Sequence, residues 1–320
     1  MASDPNDQRE KNRDAHRFLM TTQVIENRCA SLFLGPIVLA AALAAIVAAP
    51  AGAAPTVDET MSLALDDGRV IQATVRRPAD DSLPRRLPAL MLFGGFQRAA
   101  GVLDLVQTDR PLVWASFDYP LTAPRKFRFP SSLQYAPDAR DAIHATFDGV
   151  VKLHEALRKR PDVDPARISV VGASAGAPFA TVAAARSPIP GVILVQGFAD
   201  VTRVVQHAFL RKRRDQYGDW IEWPALWLAQ LLNWYCEIPD IAAQARQLRA
   251  GQRVLLFTAS EDDYVPREAS EALWQALEAS RATHERIDIT GAHLGVGDDR
   301  QRIADILERS MQWMEKQGLL

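Results

Sequence analysis

The first place in this chain where chemistry could be done is a serine set among very small residues. Residues 167–176 read RISVVGASAG, and 178–186 continue as PFATVAAAR, a run of helical character. The β-branched Ile168, Val170 and Val171 lead straight into Gly172-Ala-Ser174-Ala-Gly176. That is the strand, sharp turn and helix context of a nucleophile elbow. Such a turn holds its serine in a strained backbone conformation, and a Cβ on Gly172 or Gly176 is expected to strike the neighbouring strand and helix. Pro178 falls in the first helical turn, where a missing N–H does no harm. The helix start aims its dipole and unpaired N–H groups at developing negative charge. The chemistry implied is nucleophilic attack by Ser174, against the blander alternative of an ordinary turn serine.

A serine hydroxyl needs an adjacent base, and the base needs an orienting acid. Behind an elbow of this kind the partners follow in the order Ser, Asp/Glu, His, from loops at the carboxyl ends of later strands. His16, His144 and His154 precede Ser174, and His207 precedes the late acidic cluster. His284 lies ahead of the last expected strand (286–290), on the wrong edge of the sheet. His293, in Gly291-Ala-His293-Leu-Gly295, directly follows that strand and is the expected general base. The acid is expected in FTASEDDYVP (257–266), where Glu261, Asp262 and Asp263 compete and each could equally be a turn or cap residue. An oxyanion hole would draw one N–H from Ala175 and a second from the loop after the apolar run 90–93.

These side chains need a sheet to carry them. Residues 56–77 alternate around Asp66-Asp67-Gly68 and read as a β-hairpin. The runs 87–93, 112–117, 191–195 and 253–258 are apolar on both faces, which suits buried parallel strands. Segments 138–160, 268–281 and 298–316 read as helices. The fold class expected is α/β, a mostly parallel central sheet with helices on both faces. One segment breaks the alternation. Residues 200–250 are too long for a crossover and carry Trp220, Trp223, Trp227 and Trp234 at near-helical steps. They are expected to form an inserted helical cap whose tryptophan face docks on the core, with an apolar acyl or aromatic pocket above Ser174 as the alternative. The run Arg211-Lys-Arg-Arg214 reads as a solvated face, or else as a contact for an anionic group.

Taken together, GASAG, DDYVP and GAHLG, in that order, make the chain resemble the α/β-hydrolases from about Pro55 to the end. The acid loop of that superfamily often reads Asp-x-x-Val-Pro, so the resemblance implies Asp262 as the acid, with Asp263 second and Asp200 third. It also implies that the second oxyanion donor lies in Phe93-Gly-Gly-Phe96-Gln97, at Phe96 or Gln97, although the sequence departs from the commoner His-Gly form. A tight turn would call for the same glycines. The resemblance identifies a superfamily and leaves the substrate open.

The remaining sequence bounds the answer. The 320 residues are 48% hydrophobic and carry 37 basic against 39 acidic side chains, so nothing global implies a nucleic-acid partner. Residues 1–53 read as a leader: a polar stretch (Met20 could be an alternative start), an apolar run over 37–49, and the small-x-small site Ala51-Gly-Ala53, with Ala54 the first mature residue. The resemblance implies that residues 54–320 form an α/β-hydrolase domain. The expected location is outside the cytoplasm, periplasmic or secreted, with an uncleaved leader as the one route to a membrane anchor. Cys29 lies in the leader, leaving Cys236 as the single thiol beyond it. No metal-ligand spacing, P-loop or dinucleotide fingerprint is present, so neither a metal nor a cofactor is expected. The activity expected is cleavage of a small carboxylic ester, or a thioester, with an apolar acyl or aromatic part. Alternatives are a prolyl-oligopeptidase-like peptidase, an acyltransferase, and a non-catalytic binding module on the same fold.

Overall fold

The computed structural model describes residues 55–80, 82, 84, 86–95, 99–105, 108, 110–121, 134–295 and 300–320. The leader over 1–53, its cleavage site, Phe96 and Gln97 lie outside the described residues.

Eight strands form one sheet: β1 (Thr56–Ala64), β2 (Val70–Pro78), β3 (Leu87–Phe93), β4 (Val113–Phe117), β5 (Val163–Ala173), β6 (Gly191–Val195), β7 (Arg253–Ala259) and β8 (Thr283–Ile289). Their spatial order is β1-β2-β4-β3-β5-β6-β7-β8. β1 pairs antiparallel with β2, and β2 with β4, while every other neighbour is parallel. The expected α/β class and mostly parallel sheet are therefore observed. One correction concerns the final strand. It begins at Thr283, so His284 lies inside β8 at its amino end rather than ahead of it.

The helices are α1 (Ala99–Leu105), α2 (Ala136–Arg158), α3 (Gly176–Arg186), α4 (Val201–Tyr217), α5 (Glu222–Tyr235), α6 (Ile241–Arg246), α7 (Arg267–Glu278) and α8 (Arg300–Lys316). Strand periodicity shows why they cover both faces. In β3, Ala89, Met91 and Phe93 enter one apolar cluster and Leu90 and Leu92 another. In β6 and β7 the split recurs, with Val192, Leu194, Val254 and Leu256 opposite Ile193, Val195, Leu255 and Phe257. A strand of period two that is apolar throughout must be covered twice. Side chains of α2, α3, α6 and α7 close the first face, and those of α1 and α8 close the second.

Between β6 and β7 the chain makes α4, a 3₁₀ turn (Asp219–Ile221), α5 and α6. Asp200 caps α4, accepting from the Arg203 N–H at 2.9 Å, and Asp240 caps α6 through the Ala243 N–H at 2.9 Å. α5 packs on α4 and the 3₁₀ turn. Its inward contacts are made by Ala225 and Ala229, both buried. The tryptophans expected to dock this insertion do the opposite. Trp220, Trp223, Trp227 and Trp234 are 68–74% exposed. Small alanines let the α5 backbone approach α4 closely, and the bulky rings fall on the other side. Cys236, just past α5, is buried and free, and burial pushes its thiol pKa up. Among the described residues no helix is long and apolar enough to cross a membrane.

Candidate active site

The sheet's carboxyl edge gathers three loops. β5 ends at Ala173, and Ser174 takes a left-handed φ of 53°, a conformation costly for a side chain with a Cβ. α3 begins two residues later, so the chain reverses direction around the serine. The two flanking glycines are required by distance. A Cβ on Gly172 would lie 2.6 Å from the Gly176 carbonyl and 2.7 Å from the Ala177 Cα. One on Gly176 would lie 2.1 Å from the Phe93 carbonyl oxygen, at the end of β3. The serine N–H is held by the Val195 carbonyl at 2.8 Å, fastening the turn to β6.

Ser174 Oγ lies 2.9 Å from His293 Nε2. His293 Nδ1 lies 2.8 and 2.9 Å from the two carboxylate oxygens of Asp262. An ionised carboxylate can only accept, so Nδ1–H donates to it and Nε2 is left with its lone pair toward the Ser174 hydroxyl. Asp262 is itself fixed. Its Oδ1 accepts the Val265 N–H at 2.8 Å and the Tyr264 N–H at 3.0 Å. The His293 and Asp262 side chains are only 9% and 10% exposed.

The rivals for the acid are placed elsewhere. Asp263 turns outward to Arg211 Nη1 at 2.7 Å, Glu261 is exposed, and Asp200 serves as the α4 cap. The rivals for the base are also accounted for. His144 Nε2 sits 2.9 Å from the Cys236 carbonyl, His207 Nε2 3.1 Å from the Asp263 carbonyl, and His154 is buried in α2. Ala175 occupies the start of α3, where N–H groups lack helical acceptors. Nearby, the Tyr119 hydroxyl donates to the Gly94 carbonyl at 2.6 Å, and its burial raises the phenol pKa. Among the described residues no three His, Cys, Asp or Glu side chains come together as a metal site.

The model of the prolyl oligopeptidase family (Peptidase_S9) matches residues 139–318, more than half of the chain. The chain belongs to the prolyl oligopeptidase family. It has the α/β-hydrolase fold. Among solved structures it is similar to a prolyl endopeptidase (TM-score 0.57, 17% identity), covering 83% of this chain and 39% of that one. It is similar to a puromycin-hydrolyzing peptidase from Mycobacterium tuberculosis (0.58, 18%), covering 82% and 39%. It is also similar to an acetyl xylan esterase from Paenibacillus sp. R4 (0.54, 14%), covering 82% and 86%. The chain thus spans about two fifths of the length of these peptidases and most of the esterase. At such identities the likeness shows the fold. No curated protein matches the chain.

Two features of this family member escaped the sequence reading. Gln196, the residue after β6, is 2% exposed and takes a φ of 52°. Its Oε1 accepts the Leu294 N–H at 2.8 Å and its Nε2 donates to the Ala292 carbonyl at 3.3 Å. The side chain therefore grips the backbone on both sides of His293. The one signal in the sequence is a polar residue at the end of a wholly apolar strand. The second feature is Arg211 on α4. Expected in a solvated face, it stacks 3.5 Å above the Tyr264 ring, whose centroid is 5.1 Å from that of His293. Arg211 and Arg214 of this run are exposed, as a solvated face requires, with Arg214 paired to Asp219 and Glu222; Arg213 departs from it and is buried.

Proposed function

We propose that the chain hydrolyses a small carboxylic ester with an apolar acyl or aromatic part, through Ser174, His293 and Asp262. One observation carries the reading: an unbroken hydrogen-bonded line from Ser174 Oγ through the His293 ring to a twice-anchored Asp262 carboxylate. Ser174 Oγ attacks the acyl carbon while Nε2 takes its proton. The imidazolium so formed is stabilised by Asp262 and then protonates the departing alkoxide. The Ala175 N–H, at the helix start, faces the oxygen that becomes negative, with a second donor drawn from Phe96 or Gln97. Water then repeats the sequence on the acyl-enzyme.

A peptidase reading is favoured by the family match itself. The same three residues would serve, with an amine leaving in place of an alkoxide. The ester reading is supported by the nearly complete coverage of an esterase against partial coverage of the peptidases. Outside the cytoplasm remains the proposed location, on the strength of the leader's composition.

A fluorophosphonate probe read by intact mass tests the nucleophile. A single adduct on Ser174, absent from Ser174→Ala, is expected, and a folded protein without an adduct would overturn the reading. Rates on p-nitrophenyl esters and on prolyl p-nitroanilides then separate the substrates. Faster anilide turnover would replace the ester reading with the peptidase one.

A further inference from the structure

The outer face of α5 presents a problem that the chemistry of the site does not absorb. Trp223, Trp227, Leu231 and Trp234 fall within an arc of about 80° on this helix, and Trp220 extends the line into the preceding 3₁₀ turn. All five are exposed. At roughly 250 Å² for a whole tryptophan, the four rings present on the order of 700 Å². A typical monomer's largest apolar patch is about 300–600 Å², and one side of a standard interface is about 800 Å². The size fits a protein partner.

The pattern identifies which partner. Measured from Trp227, the apolar positions are −7 (Trp220), −4 (Trp223), 0, +4 (Leu231) and +7 (Trp234). The spacing of these exposed positions is the same in both directions, with Trp223 at −4 answered by Leu231 at +4. A two-fold interface uses one patch on both subunits, so that residue i meets j and j meets i. A stripe that is symmetric about its centre satisfies that condition when two copies cross antiparallel. Its narrowness also suits a helix–helix seam, since helices facing a broad core carry a stripe of about 100° or more.

Charge agrees. α5 holds no Lys or Arg, and its one charged residue, Glu222, pairs with Arg214 of its own chain at 2.9 Å. In the antiparallel pairing Glu222 stands opposite Leu232 of the partner subunit, so no like charges meet. A membrane surface is served less well. Helices lying on bilayers carry Lys and Arg on their polar face, whereas here Arg211 and Arg214 are engaged with Asp263, Asp219 and Glu222.

We propose that this face is the seam of a homodimer, formed by two α5 helices crossing antiparallel about Trp227. Trp220 then packs on Trp234 of the partner subunit, Trp223 on the partner's Leu231, and the two Trp227 rings meet at the axis. The inference stands apart from the catalytic reading, since neither Ser174 nor its partners take part.

Sedimentation velocity of the full chain, from nanomolar to high-micromolar concentration, reads the association directly. A reversible dimer is expected. Trp227→Glu should raise its dissociation constant by more than about thirtyfold per ring lost while leaving the circular dichroism spectrum unchanged. Orientation is read by oxidative cross-linking in a chain with Cys29 and Cys236 replaced by alanine. A mixture of Trp220→Cys and Trp234→Cys chains should cross-link, and Trp220→Cys alone should not. A wild-type monomer throughout would overturn the proposal. So would a dimer that Trp227→Glu leaves intact, or a cross-link within Trp220→Cys alone. A monomer that floats with neutral phosphatidylcholine vesicles would assign the face to a bilayer instead.

Discussion

The carboxyl edge of the sheet and the outer face of α5 obey opposite rules. At the edge the hydrogen-bonding groups around Ser174 answer one another. Asp262 is anchored twice by backbone, His293 is gripped on both sides by Gln196, and Gly291, at a φ of 104°, links the two loops through Ser260 and Glu261. On α5 Trp223, Trp227 and Trp234 are exposed, with Trp220 beside them in the preceding 3₁₀ turn. The first region is complete within one chain, so its parts should fail together. The second is incomplete, and its parts should be removable without harm to the fold. That difference makes the two regions separable by mutation.

The sharpest way to break the edge is at the acid. Asp262→Asn keeps the shape but offers an amide N–H where His293 Nδ1–H requires an acceptor. The imidazole is then driven into the wrong tautomer, with its proton on Nε2 facing Ser174. On the proposed mechanism kcat should fall about ten-thousandfold with the melting temperature nearly unchanged. Steady-state kinetics on the best ester would show it. A loss under tenfold would remove Asp262 from the triad and reopen the choice of acid.

Gln196 tests whether the edge is as tightly coupled as its hydrogen bonds imply. Gln196→Leu fills the volume but leaves the Ala292 carbonyl and the Leu294 N–H without partners, freeing the loop that carries His293. A positioning role predicts a kcat lower by about ten- to a hundredfold with KM little changed, and slower labelling of Ser174 by a fluorophosphonate. A residue that merely stabilises would lower the melting temperature and leave both rates alone.

The core supplies a third case, a buried polar group with no answer. His154 on α2 is 1% exposed and its Nε2 has no partner. Burial, helped by the Arg158 charge, depresses its pKa from 6.5 to about 4. The unfolded chain therefore binds a proton below pH 6.5 that the native chain refuses. Stability is full above that pH and declines as the pH falls toward 4, by up to about 3 kcal/mol from this group. His154→Leu should flatten this window in urea titrations, and an unchanged pH profile would show that His154 is not its source.

The two regions also differ in how much of them could be read from the sequence. GASAG sits at a strand end because Ile168, Val170 and Val171 precede it and small residues follow, so local chemistry dictated the placement. The order of motifs chose His293 over five other histidines for a topological reason, since loops after later strands come back to the same edge. Gln196 was hidden because its role depends on the loop after β8 returning to the end of β6, a meeting that no local pattern reports. Trp220, Trp223, Trp227 and Trp234 misled for the complementary reason. Their periodicity says that one face of a helix is apolar, and it says nothing about whether the partner lies within the same chain. Burial followed Ala225 and Ala229, residues too small to stand out in a sequence.

That last point yields the smallest expected effect. If α5 is held by its alanines, Trp227→Glu should shift the stability of the monomer by no more than about 0.5 kcal/mol and leave kcat alone, provided both are measured below the dimer's dissociation range. Ala229→Glu, two residues away, should be far worse. It forces a carboxylate into the α4–α5 contact, where an unpaired buried charge must either ionise at great cost or take up a proton. A chain in which the two substitutions destabilise equally would mean that the tryptophan face has an intramolecular partner after all. The difference between neighbours therefore measures which side of α5 the fold depends on.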